Sequence, residues 1–406
     1  SDYTSGLHHV TKIGSGNWSL SLDNSVNFLG ILQVNNGSVI LNGSAARVGF
    51  VTTILAEGGA LTLDNSTNVL ANRLGGTTSI QTATSDRALS NRGGILNFIG
   101  GSSAVTEALG TGATAVTNFE GASRWNLTAG TAGSTITFGT LVAASTTNRG
   151  TLTLDTGSGL LGGGAAGSGR VNVIATTPGL IANIRPDMIG IDSSGTGFVT
   201  HDANGFRLLN SADTALGYFA PAGLYLGTAT PASITASGGT VSNAAATSNV
   251  ALASSKSVYG STTVNSLNLS SGGAVAYADG VFNEAGTLKT LTLTSGAVLA
   301  KSGNGGIGSG GALTAVANLL YLHTTGDLTT SAYILGSGGI VKDGVGTLTL
   351  NQVSLNTAAF FQNEGTTKIG ANNTLLVVPT ATVVGVADLV VNGGTFDLNG
   401  FNQAVA

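Results

Sequence analysis

Gly346-Thr347-Leu348-Thr349-Leu350-Asn351 sets leucine at alternate positions, threonine between them, and a glycine and an asparagine at its ends. Alternation with a period of two puts the leucines on one face of a strand and the threonines on the other. One face is then buried and the other wet, while Gly and Asn supply the corners where φ turns positive. The same phrase recurs along the chain. Earlier copies are Ser38-Val39-Ile40-Leu41-Asn42-Gly43, Ala60-Leu61-Thr62-Leu63-Asp64-Asn65, Gly94-Ile95-Leu96-Asn97-Phe98, Ser134-Thr135-Ile136-Thr137-Phe138-Gly139 and Gly150-Thr151-Leu152-Thr153-Leu154-Asp155. Ser266-Leu267-Asn268-Leu269, Thr290-Leu291-Thr292-Leu293-Thr294 and Gly394-Thr395-Phe396-Asp397-Leu398-Asn399 continue it.

Such units are too short to bury a face alone, so they must stack on one another. The reading is all-β, a right-handed parallel β-helix (β-solenoid), with an Asn or Thr ladder satisfying polar side chains between rungs. At roughly 20–25 residues per coil, the chain would make about 16–20 coils and a rod on the order of 80–95 Å. Two or three antiparallel sandwiches are the alternative, since they too use short alternating strands. Organisation follows from regularity: β-helix coils over 1–177, an irregular loop-rich excursion over 178–232, and further coils over 233–406. The excursion holds four of the five prolines, Pro178, Pro186, Pro221 and Pro231.

Composition narrows the function. Of 406 residues, 63 are glycine, 42% are hydrophobic and only 8% are charged, the reverse of a disordered chain. Five prolines without a Gly-X-Y period exclude collagen. Fifteen Lys and Arg against 19 Asp and Glu give a net charge of −4, so no basic surface exists to neutralise phosphates, and nucleic acid is not an expected partner. The absence of cysteine removes disulfides, thiolate nucleophiles and zinc ribbons, and suits a bacterial surface protein that folds after export. No apolar run reaches the length of a membrane span, and no leader pattern opens the sequence, which starts at Ser1 and is expected to be a processed or excised segment.

Gly338-Gly339-Ile340-Val341-Lys342-Asp343-Gly344-Val345-Gly346-Thr347-Leu348-Thr349-Leu350 resembles the autotransporter-associated β-strand repeat, whose core reads about G-G-[LI]-x-K-x-G-x-G-T-L-T-L. Asn363-Glu364-Gly365-Thr366-Thr367-Lys368-Ile369-Gly370 is similar to the second half of that repeat, which places the whole copy at 338–370. The segments 91–98, 197–209 and 394–403 are similar to other coils of the large proteins that bear it. What the resemblance implies is a secreted bacterial β-helical passenger or surface protein.

Few residues invite chemistry. Arg185, Asp187, Asp192, His201 and Asp202 are the one set a polysaccharide lyase or hydrolase could use, although Asp is also common in turns and the expected reading is a loop of solvated charges. His8 and His9 would diverge on a strand and chelate poorly, and His323 in Leu319-Leu320-Tyr321-Leu322-His323 is expected at the surface. Gly303-Asn304-Gly305-Gly306-Ile307-Gly308-Ser309-Gly310-Gly311 lacks the Lys-Ser/Thr of a phosphate loop and the Asp of a calcium nonapeptide, and reads as a tight or flexible coil. Trp18 and Trp125 are expected in the core or at a cap. The glycosylation triplets at Asn17, Asn126 and Asn268 are expected by chance in so Asn-, Ser- and Thr-rich a sequence.

No catalytic residue, cofactor or metal ligand is therefore assigned. Uncapped terminal coils would present open strand edges that template another chain, and low charge weakens the repulsion that opposes this. The expected function is a non-enzymatic extracellular building block of a bacterial surface fibre, sheath or stalk, with self-association as its partnership. The alternatives are an adhesin passenger that binds glycans or a host or matrix surface through 178–232, and a carbohydrate-active enzyme.

Overall fold

A computed structural model describes residues 9–24, 30–74, 88–109, 115–142, 149–223, 225–227, 241–277, 288–301, 303–375, 377–379, 384–386 and 388–405. It is nearly all β, with long parallel sheets. Among the described residues there is no α-helix, only a 3-10 turn at Thr214–Leu216, and no helix long and apolar enough to cross a membrane. The chain divides into two compact units, one of residues 1–180 and 187–208, the other of 181–186 and 209–406.

In the first unit most successive strands alternate between two sheets. Val10–Lys12, Ile31–Val34, Thr52–Ala56 and Ala88–Arg92 pair in order in one sheet, while Asn17–Leu20, Gly37–Leu41, Gly59–Asp64 and Ile95–Ile99 pair in order in the other. Parallel neighbours ordinarily need a long crossover. Here the crossover includes a strand of the opposite sheet. The register lines up Trp18, Val39, Leu61, Leu96, Trp125 and Leu154 in one inward column. All but Trp18, on the edge strand, are essentially solvent-free. A column of this kind removes a leucine-sized apolar surface from water at every rung, about 2 kcal/mol each.

Parallel pairing in this unit stops at Met188–Asp192. Gly195–Asp202 and Gly205–Leu208 follow as antiparallel strands and complete that sheet. The stretch read as an excursion is thus largely strand as far as 208; residues 224 and 228–232, Pro231 among them, lie outside the described residues.

The second unit repeats the two-sheet alternation. Leu320–Thr324, Ile340–Asp343 and Phe360–Gln362 stack in one sheet, with Asp327–Thr330, Thr347–Leu350 and Thr366–Ile369 in the other. Rungs here recur every 20 residues, as the separation of Ser354 from Ile334 shows. A third short set, Gly311–Thr314, Tyr333–Gly336 and Ser354–Asn356, pairs in parallel beside them. Both faces of the Leu320–Thr324 strand are buried. The segment Ile181–Pro186 lies over its outer side, where the Ile181, Ala182 and Pro186 carbonyls accept hydrogen bonds from Asn265, Asn249 and His323.

Candidate functional site

The turn of the 338–370 repeat is built around a buried ammonium. Lys342 points inward from its strand, and its Nζ donates to the carbonyl oxygens of Gly344, Gly346 (2.8 Å) and Glu364 (2.6 Å). Three donors meet three acceptors. The first two close its own turn and the third ties it to the turn before the next parallel strand, Thr366–Ile369. Burial pushes the amine down to about 8, against the opposing pull of Asp343, Glu364 and Asp327. Gly365, at φ 71°, passes so close that a Cβ there would meet the Gly344 carbonyl and the Lys342 amine.

The first unit contains the same device. Lys12 donates to Gly14 O (2.6 Å), Ile13 O (3.1 Å) and, one coil on, Asn36 O (3.1 Å). Gly37, at φ 69°, occupies the place that Gly365 has in the other copy, with Gly14 O, Gly16 O and the Lys12 amine against it. Sequence reasoning passed over this copy. Its signal is Lys12-Ile13-Gly14-Ser15-Gly16-Asn17-Trp18-Ser19-Leu20, a K-x-G-x-G-x-[LW]-[ST]-L pattern shared with 342–350.

Elsewhere polar side chains join successive strands of a sheet. Asn91 Nδ2 donates to Asn118 Oδ1 (2.9 Å), Asn118 Nδ2 to Asp187 Oδ2 (3.2 Å), and Trp125 Nε1 to Asn91 Oδ1 (3.3 Å), all of them buried. This is the expected ladder. On the outer face Asn126 donates to Asn97 and Asn97 to Thr62, which engages the Asn126 amide of one glycosylation triplet. Arg73, fully buried, donates to Asn65 Oδ1 and to the Gly43, Ala46 and Asn68 carbonyls, while Glu107 accepts the backbone N–H groups of Arg73 and Leu74.

The five candidate catalytic residues are not a solvated loop, and this expectation is corrected. Arg185, Asp187 and Asp192 are buried, and Arg185 belongs to the second unit while the other four belong to the first. Asp187 ends the asparagine ladder. Asp192 accepts Ser194 N (2.8 Å) and Oγ, and Asp202 accepts Asn204 N (2.7 Å) and Arg207 Nε (2.8 Å), so each closes one of the two antiparallel hairpins. His201 Nε2 accepts the Ala175 backbone N–H, and burial lowers its pKa, partly offset by Asp202.

His323 is not at the surface, and that expectation too is overturned. It is fully buried: Nε2 donates to Pro186 O (2.7 Å) and Nδ1 lies 3.1 Å from Asp343 Oδ2. A carbonyl only accepts, so Nε2 carries the hydrogen of the Pro186 bond. His9 is exposed and His8 lies outside the described residues. The glycine-rich stretch becomes the strands Asn304–Ile307 and Gly311–Thr314, with Ser302 outside the described residues. Trp125 is core, and Trp18 packs half-buried against the same hydrophobic cluster. A recess lined by Phe50, Thr53, Leu74, Ala88, Leu89 and Leu109 carries no titratable side chain. Among the described residues no three His, Cys, Asp or Glu gather as metal ligands would.

No family model, no curated protein and no solved structure matches the chain.

Proposed function

We propose that this chain is a non-enzymatic structural protein of a bacterial cell surface, a right-handed parallel β-helical building block of a fibre, sheath or stalk. The observation that carries the reading is the use of its polar groups: the lysine turns, the asparagine ladder and the Arg73 network all bond one coil to the next. Catalysis would need polar and charged groups convergent on an opening, whereas these are spent on carbonyls and side chains of neighbouring strands. The general hand of parallel crossovers supports the right-handed form. Two lysine turns of the autotransporter-repeat pattern, alike in their bonds though in separate units, favour a repeat-built surface protein, and a cysteine-free composition suits export.

Self-association is part of this function. The test is sedimentation velocity on the purified chain over a wide concentration range without added ligand. Growth of large species with concentration is expected; one small species at every concentration overturns the reading.

A further inference from the structure

The 10–20 rung has no strand on its outer edge among the described residues, whereas the matching 340–350 rung is paired on both sides. That difference exposes an unexplained glycine. In the interior copy a Cβ on Gly346 would lie 2.3 Å from Gly326 O, and the Gly346 N–H donates to Thr324 O (2.7 Å). Glycine is required there by the covering 320–330 rung. Gly16 stands at the same place in the edge copy. Its φ is not positive, and a Cβ would meet nothing within 4 Å. Nothing in the described protein asks for glycine at 16, yet a covering strand–turn–strand rung would. The apolar side chains agree: Ile13 and Leu22 are 72% and 71% exposed, and Val10, Trp18 and Leu20 are only half-buried.

The chain carries a rung of the required form. Leu389–Val391 and Thr395–Asp397 are each last in their sheet, joined by Asn392-Gly393-Gly394, with Leu389 and Phe396 half-buried and Val391 and Leu398 exposed. We propose that the 10–20 rung of one copy receives the 389–397 rung of a second copy in parallel register. The inference rests on the self-assembling reading above and specifies its contact. The columns Lys342–Gln362–Val391 and Thr349–Lys368–Asp397, transferred to Lys12 and Ser19, set Val391 opposite Lys12 and Asp397 opposite Ser19. Such a contact is heterologous, joining two different surfaces of the chain, so each copy keeps one of each for a further copy.

The sequence has no cysteine, which makes cross-linking clean. The Ser19→Cys and Asp397→Cys variants, mixed and oxidised, are expected to give a disulfide heterodimer well above the yield of either variant with itself. Gly16→Val is expected to fold with unchanged thermal stability, because its surroundings are open, and to reduce polymer formation at least tenfold. If the parent polymerises but Gly16→Val polymerises equally and no 19–397 cross-link forms, this contact is wrong while the structural reading stands. If the parent never assembles and no cross-link forms, both fail.

Discussion

Lys342 reaches 22 residues along the chain to the carbonyl of Glu364, 2.6 Å from its amine, and Lys12 reaches 24 residues to Asn36 in the same way. The bonds are alike but their surroundings differ, since Lys342 is fully buried and Lys12 is half-exposed with exposed partners. Buried carbonyls that lose a donor cost far more than wet ones. Lys342→Met should therefore destabilise the second unit by about 3 kcal/mol, and Lys12→Met the first by less than about 1 kcal/mol. Urea titrations of the two variants check this; equal losses would show that burial does not govern the turn.

The same lysine predicts a pH effect. Burial holds its amine near 8 in the folded protein against an ordinary value of 10.5. Between these values the unfolded chain holds the proton and the folded chain releases it, so stability rises with pH across that window. Comparison with Lys342→Met isolates the contribution, because the variant lacks the titrating group. Parallel stability profiles for both proteins from pH 8 to 10.5 would refute the assignment.

His201 acts in the acid range. Its Nε2 accepts the Ala175 N–H and burial lowers its pKa below 6.5, so the unfolded chain protonates first as pH falls. Stability should drop on acidification through and below about pH 6.5. His201→Gln, which keeps an acceptor but cannot titrate, is expected to flatten that drop, and an unchanged slope would contradict the bond.

The asparagine ladder should behave as one unit. Asn118→Leu removes the donor to Asp187 and the acceptor for Asn91, for a loss of about 2–3 kcal/mol. In a double-mutant cycle with Asn91→Leu the coupling should be on the order of 1 kcal/mol. Additive losses would mean that the rungs are held by packing alone.

Much of the fold was legible because strand alternation is local. Leu348 and Leu350 face inward as their spacing requires, and the column from Val39 to Leu154 follows the quoted phrases almost residue for residue. His323 was misread by the same rule. Leu320 and Leu322 take the inner face, so alternation sends His323 outward, but that outer face is covered by Ile181–Pro186, 137 residues away in sequence at the Pro186 contact. No local pattern reports a distant strap. The candidate carboxylates went astray for a different reason: Asp192-Ser193-Ser194-Gly195 and Asp202-Ala203-Asn204-Gly205 share a D-x-x-G spacing that marks two hairpin turns, with Gly195 and Gly205 both at positive φ. The spacing was in the sequence, masked by the expectation of charge at a loop surface.

X-ray diffraction from aligned fibres of the purified chain tests the central claim most directly. Coils stacked along the fibre place the strands across its axis, so the account predicts a meridional reflection at about 4.8 Å. A reflection of that spacing on the equator, or a chain that forms no fibres at any concentration, would contradict it.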